Sequence, residues 1–276
     1  SCQTKYVRLL KRQVKGETCW YAQLVQEGIP LIKEKNLSPA HDVGLDVGPS
    51  SIAVVGKEDA FLTALCVELE PLYEEIGKLQ KQIDRSRRAM NPANYTREGT
   101  IRKGIPLRWE CSERYRRLKS KLQEYHRVMS TTRKRLHGEL SNEILRMGNR
   151  IKTEKLSYRT FQKNYGRSVG FRAPGKLIEM LRRKAANAGG ELIEFSTRST
   201  KLSQVCHGCQ KAEKKPLKQR WHSCRCGVGP VQRDLYSGFL AVEGNRLDIN
   251  QAQAAWSGAE PLLWRAMSRL EETASG

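Results

Sequence analysis

Apolar and polar positions run at first with the period of a strand and then, from about residue 68, with the period of a helix. Tyr6-Val7-Arg8-Leu9-Leu10 and Cys19-Trp20-Tyr21-Ala22-Gln23-Leu24-Val25 are β-rich runs around the turn Lys15-Gly16-Glu17, so residues 5–27 predict a β-hairpin. A hairpin alone is marginally stable in water, so this one is expected to belong to a larger sheet with strands upstream of Ser1. Residues 28–41, with Pro30, Pro39 and several charges, predict a linker. Three short apolar runs, Asp42–Val47, Ser51–Val55 and Phe61–Val67, suit a β-meander. From Glu68 to Met90 the residues Leu69, Leu72, Tyr73, Ile76, Leu79 and Ile83 fall on one helical face. Asn91–Pro106 predicts a loop. Glu110–Met147 predicts a second long helix with Tyr115, Leu118, Leu122, Tyr125, Val128 and Met129 inward. Further on come a strand at Arg150–Leu156, a helix at Gly175–Ala188, a strand at Glu191–Thr197 and a helix at Arg233–Val242. The tail places Trp256, Leu263 and Trp264 on an amphipathic helix and ends in Ser/Gly-rich residues expected to fray.

Charge changes the picture. Lys and Arg number 50 against 29 Asp and Glu, a net charge of +21. An excess of that size points to a polyanionic partner. Part of it lies on the second long helix, as Arg114, Arg116, Arg117, Lys119, Lys121, Arg127, Arg133, Lys134 and Arg135. That one-sided basic face favours a nucleic-acid surface over a solvated coiled coil. No apolar run approaches the roughly 20 residues of a membrane span, and no secretory signal is visible. Of the 8 cysteines, Cys2, Cys19, Cys66 and Cys111 are scattered and the other four are clustered. A disulfide scaffold would be shorter and more evenly stapled, so the expectation is an intracellular protein with one metal site. The chain opens at Ser1 directly in strand-like sequence, as a fragment, a processed piece or one half of a split protein would.

Three acids carry candidate chemistry. Asp46 ends a strand, with Gly48 and Pro49 turning the chain away; Glu154 ends another strand; Asp234 sits near a helix start after Pro230. Singly, each has a plain reading: a turn residue, a solvated charge, and an acid stabilised by the helix dipole. As a set they supply clustered carboxylates for two divalent ions, Mg²⁺ or Mn²⁺, which suits phosphodiester hydrolysis. Cys206-His207-Gly208-Cys209 and Cys224-Arg225-Cys226, around the basic insert Lys211–Arg220, argue for structural Zn²⁺ in a small ribbon. The second pair has one intervening residue instead of two, which leaves His207 or His222 open as a replacement ligand. Free cysteines would leave this Lys-rich segment almost without a core, whereas a bound metal supplies folding energy.

Together these segments resemble the TnpB family of transposon-encoded RNA-guided DNA nucleases and their relatives among the type V CRISPR effectors. The matching pieces are Gly44-Leu45-Asp46-Val47-Gly48, Thr153-Glu154-Lys155-Leu156 and Arg233-Asp234-Leu235 for the three RuvC-like motifs. Thr200 to Cys209 matches the entry to the family's zinc ribbon. The resemblance covers roughly residues 42–245. It implies an α/β, RNase H-like (RuvC-like) nuclease domain with a long helical insertion and an inserted zinc ribbon, preceded by the end of an oligonucleotide-binding β-barrel. The implied order is barrel hairpin and linker at 1–41, nuclease domain at 42–199 with its insertion at about 68–147, ribbon at 200–230, last nuclease segment at 231–245 and tail at 246–276. It further implies Asp46, Glu154 and Asp234 as catalytic metal ligands, and Cys206, Cys209, Cys224 and Cys226 on zinc. Guide RNA and target DNA are the implied partners, together with a recognition portion missing from this chain, and the implied location is bacterial, cytoplasmic and nucleoid-associated. Candidate nucleic-acid contacts are Arg114, Arg117, Lys121, Arg159, Lys163, Arg167 and Arg172. The chain departs from the family at Gln232, where an acid is usual, and at Tyr236 and Ser237, where Asn-Ala is usual. Two competing readings stay open: a catalytically silent RNA-guided DNA-binding protein, and a protein-only RNase H-fold transposase or resolvase.

Overall fold

A computed structural model describes residues 3–28, 34, 37–216, 218–243 and 249–275. Most of the linker expected at 28–41 lies outside the described residues. The chain divides into two compact units, residues 1–29 with 68–134, and residues 30–67 with 135–276. No helix among the described residues is long and apolar enough to cross a membrane.

In the first unit, β1 (Gln3–Val14) pairs antiparallel with β2 (Glu17–Glu27). Val14 faces Glu17, so the turn is Lys15-Gly16 alone, both at positive φ (53° and 87°). That is the backbone a two-residue hairpin turn needs to follow the strand twist. The ribbon has two strands and leaves large apolar side chains in the open, Leu9 at 75% and Trp20 at 65% exposure. Helix α1 (Glu70–Met90) buries Ile76 and Leu79. It starts two residues later than periodicity predicts, because Val67–Leu69 winds as a 3-10 turn and Pro71 occupies the first helical turn. Helix α2 (Glu113–Met147) also starts late, where the Ser112 hydroxyl accepts from the Tyr115 amide at 3.1 Å. Its inward set, Tyr115 to Met129, is half-buried, and full burial begins only at His137.

The second unit holds a five-stranded sheet in the order β5-β4-β3-β6-β7. Strands β3 (Asp42–Val47), β4 (Ser51–Val55) and β5 (Ala60–Ala64) form the expected antiparallel meander. The third strand stops at Ala64, since Cys66 turns the chain at φ 53°. Strands β6 (Arg150–Glu154) and β7 (Glu191–Phe195) add in parallel on the other side of β3. Parallel strands need long crossovers. One is α2; the other holds α3 (Tyr158–Arg172) and α4 (Pro174–Asn187). Helix α3 lies where no helix was expected. It starts at Ser157, whose hydroxyl accepts from Thr160 N, kinks at Tyr165 and ends at Ala173 in the left-handed region. After the short α5 (Thr197–Thr200) come β8 (Trp221–His222) and β9 (Val231–Gln232), α6 (Arg233–Val242) and α7 (Ile249–Ser275). The tail is therefore one long helix that buries Leu263, Ala266 and Met267.

Helices cover both faces of this sheet, so β3 reads as an almost continuous apolar run. Val43, Leu45 and Val47 pack with Ile144 of α2 and with Leu177, Ile178 and Leu181 of α4. On the opposite face Ala53, Val55 and Ala60 pack with Leu235, Tyr236 and Phe239 of α6 and Leu263 of α7. Gly44 points to this second face, where a Cβ would meet the Gly238 carbonyl oxygen at 2.0 Å and Val242 N at 2.8 Å. Gly44→Ala is therefore expected to push α6 off the sheet and cost about 3 kcal/mol or more. Gly138, in α2 with open space around its Cα, should by contrast gain about 0.5–1 kcal/mol as Ala. Chemical denaturation of the two variants checks this; similar stability for both would refute the tight contact.

Candidate metal centres

Strand alternation aims Asp46, like Gly44, at the α6 side. β3 and β6 run parallel with Leu45 beside Thr153, and one step further Glu154 stands next to Asp46. Asp234 is the second residue of α6. The sheet and α6 thus bring the three predicted acids together. Their charges interact: the Asp46 carboxyl is pushed up to about 7, by burial first, then by Asp234 and Glu154, against the opposing pull of the Arg233 guanidinium. A carboxyl crowded by two others is a place where multivalent cations relieve repulsion.

Each flanking acid is held in place. Glu154 Oε1 accepts from Thr200 Oγ1 at 2.7 Å and from Leu202 N at 3.4 Å. Asp234 Oδ2 accepts from Gln232 Nε2 at 3.2 Å, and its Oδ1 lies 3.3 Å from Arg233 Nη2. Gln232 also caps α6, its Oε1 accepting from Leu235 N at 2.7 Å. The neutral amide therefore orients Asp234 without adding a fourth negative charge. Arg220 brings Nη1 to 3.7 Å from Asp234 Oδ2 while its side chain stays 64% exposed. Thr200, Arg220 and the supporting role of Gln232 and Arg233 escaped the sequence reading; for Gln232 the signal was its departure from the expected acid. The all-oxygen donor set fits Mg²⁺ or Mn²⁺. Among the described residues, the four cysteines are the only group of three or more His, Cys, Asp or Glu whose ligand atoms all lie within 4.8 Å of one another. The three carboxylates do not form such a group.

Those cysteines are Cys206, Cys209, Cys224 and Cys226. Two tight turns present them: Gln210 N donates to Cys206 O, and Cys224 N to Val228 O, both at 2.9 Å. Cys206 and Cys226 sulfurs are 3.5 Å apart, as are those of Cys209 and Cys224. A tetrahedron of zinc–sulfur bonds has edges of about 3.8 Å, so the set fits Zn²⁺. The single residue between Cys224 and Cys226 is accommodated by Gly227, at φ 97°, and by Gly208, where a Cβ would meet Cys226 Sγ at 3.1 Å. Burial pushes the Cys206 thiol up to about 12, whereas hydrogen bonds with Cys226 draw Cys224 down to about 7.

His207 and His222, the alternative ligands, are engaged elsewhere. His207 Nδ1 and N both bond the Tyr236 hydroxyl, at 2.8 and 2.9 Å. His222 stacks on the Tyr236 ring at 4.0 Å and pairs through Nδ1 with Lys215 Nζ. Burial pushes the His222 imidazole down to about 4. The ribbon is thus no separate knob, since Leu202, Cys206, Val228 and Val231 belong to the same core as Tyr236 and Phe239.

The candidate nucleic-acid contacts fall on two helices, described separately. Arg114, Arg117 and Lys121 are exposed on the first part of α2. Arg159, Lys163 and Arg167 are exposed on α3, beside the edge-to-face ladder Tyr158–Phe161–Tyr165. Arg172 does different work. Its Nε donates to Leu65 O at 3.0 Å and its Nη1 to Ser168 Oγ at 2.9 Å, tying the end of α3 to the meander.

No family model matches the sequence, and no curated protein does. The fold matches a solved structure, the cryo-EM structure of the Cas12f1–sgRNA–target DNA complex, with a TM-score of 0.56 and 13% identity. The match covers 88% of this chain and 46% of that one, so this chain spans less than half that chain's length. At this identity the likeness shows a shared fold.

The Asp46 environment sets a pH dependence. The folded state holds the Asp46 proton up to about 7, while an unfolded chain releases it near 4. Its contribution therefore becomes less favourable as pH rises from about 4 to 7, and stays unfavourable above that. Without added divalent ions, Asp46→Asn is expected to raise Tm by several degrees at pH 8, at about 2–4 °C per kcal/mol, and to leave it unchanged at pH 4. Melting curves at both pH values decide; an equal shift at each would show that the cost is not electrostatic. For the second centre, elemental analysis should find one zinc per chain, and Cys209→Ser should lose it together with several degrees of Tm.

Proposed function

We infer that this chain is the catalytic part of an RNA-guided, divalent-metal-dependent DNA endonuclease of the TnpB kind. The observation that carries the reading is that Asp46, in electrostatic range of Asp234 and Glu154, is raised to about 7 by burial and then by those two acids. The fold shared with a solved guide RNA and target DNA complex supports it, as do the net charge of +21 and the gathered cysteines.

In this reading Asp46, Glu154 and Asp234 hold the ions. When bound, two divalent ions supply an activated water and charge stabilisation for the leaving oxygen of the cut phosphodiester. The chain's own residues do the positioning. Thr200 fixes Glu154, while Gln232 and Arg233 fix Asp234. Arg220 stands exposed beside the acids, where a phosphate would find a guanidinium. The exposed basic residues of α2 and α3 bind backbone, and base pairing with the guide reads sequence. Zn²⁺ on the four cysteines is structural and adds no chemistry to the cut.

The chain, expressed with any coding sequence that flanks it, should carry one discrete RNA whose end matches a flanking or target DNA. Reconstituted with that RNA, it should cut matching DNA only with Mg²⁺ or Mn²⁺. Asp234→Ala should slow the cut at least about a thousandfold, some 4 kcal/mol of barrier. RNA of random cellular sequence would count against guidance, and cutting that survives Asp234→Ala would sink the assignment of the site.

A further inference from the structure

The ribbon's last strand, β9, ends at Gln232, and α6 begins with Arg233. The Arg233 side chain is 10% exposed and bonds in two directions. Toward the ribbon, Nη1 donates to Gln219 O at 3.0 Å and Pro216 O at 3.4 Å, while its backbone N donates to Arg220 O at 2.8 Å. Toward the acids, Nε and Nη2 lie 3.4 and 3.3 Å from Asp234 Oδ1. The accepting carbonyls belong to the segment between the two cysteine pairs. One turn along α6, Tyr236 bonds His207, next to Cys206. The segment 211–220 is strongly polar, and its own residues offer almost no core to fix those carbonyls.

We propose that Arg233 is a positioning residue that transmits metal occupancy of the cysteine ribbon to Asp234, so that the carboxylate is set for divalent-ion binding only when the ribbon is filled. The inference rests on the nuclease reading of the acids. Its physical basis is the planar guanidinium fork, which spans two acceptors at fixed angles and orients both. An emptied ribbon frees the segment that carries Pro216 and Gln219. The guanidinium then follows that segment, or keeps Asp234 without its far anchor. Residues that support metal ligands in this way change metal affinity by about 10- to 100-fold when removed.

The test uses the full chain, zinc-loaded or zinc-stripped, with Mn²⁺ as the probe and its affinity read by electron paramagnetic resonance. Loss of the tight Mn²⁺ site in Asp234→Ala identifies the acid site. Arg233→Gln is expected to weaken that site about 10- to 100-fold while zinc content and circular dichroism stay those of the wild type. Zinc removal should weaken Mn²⁺ binding by a similar factor in the wild type, but by less than about twofold in Arg233→Gln, because the link is already cut. Arg233→Lys keeps the charge but cannot hold both ends, so it should regain part of the affinity and none of the zinc dependence. If Arg233→Gln fails to fold, the Arg233→Lys comparison decides. Wild-type Mn²⁺ affinity in Arg233→Gln, or an equal loss on zinc removal in variant and wild type, overturns the proposal and leaves the nuclease reading standing. Absence of any Asp234-dependent Mn²⁺ site in the wild type overturns both.

Discussion

The contact between Gly44 and Gly238 is the constraint on which the site depends. With no side chain at either position, α6 lies directly on the central strand, closer than any Cβ on Gly44 would allow. Two residues along a strand cover about 6.6 Å, and four residues along a helix cover about 6 Å. Asp46 is two residues beyond Gly44, and Asp234 is four residues before Gly238. The helix runs against the strand, so the two offsets match and carry both acids to the same end of the contact. The parallel register of β6 then adds Glu154 from the other side. Asp46 and Asp234 come into electrostatic range because Gly44 carries no side chain to hold α6 away.

That geometry works against stability. It buries Asp46 within electrostatic range of Asp234 and Glu154, and Asp46 bears the result in its raised proton affinity. The expense is offset around the site rather than in it. Two apolar layers grip the sheet from both faces, and the flanking acids receive hydrogen bonds from Thr200, Gln232 and Arg233. A basic exterior around an acidic centre therefore has a simple division of labour. In the proposed reading, the exterior would draw in a polyanion and the centre would hold cations.

Much of this was legible in the sequence where one physical signal dominated. The strands β3 and β4 were read with their observed ends because short apolar runs sat between clear turns. Helix α6 was read because apolar periodicity and a preceding Pro marked it. The cysteines were read from spacing. Helix α3 was missed because Gly166, Gly170 and several polar residues dilute its pattern, though Tyr158, Phe161 and Tyr165 do lie at helical spacing. The length of α7 was missed because Pro261 sits within it. Hydrophobic spacing on α2 overstated burial, since a long helix can carry an apolar stripe that is only half covered. For the candidate site, the acids were named from sequence, whereas the residues that bond them were not. Thr200 and Arg233 act through contacts between residues far apart in the chain or through orientation of a neighbour, and neither leaves a periodic trace.

The departures at Tyr236 and Gln232 make sense as parts of one packing solution. A tyrosine at 236 is wholly buried and needs a polar partner for its hydroxyl. His207 supplies one from inside the first cysteine turn, and His222 stacks on the ring from β8. Trp256 of α7 closes the group against His207 at 4.6 Å. Ribbon, α6 and α7 therefore share one aromatic core in the second unit. A short side chain at 236 would leave the His207 and His222 rings without their common neighbour. At 232, a carboxylate would add charge beside Asp234 in a place where three acids already repel. The amide gives the same helix cap and a hydrogen bond to Asp234 without that repulsion. The ribbon is thus built onto the five-stranded sheet through the very helix that carries an acid. The integrity of the sulfur cluster and the placement of Asp234 follow from the same set of contacts.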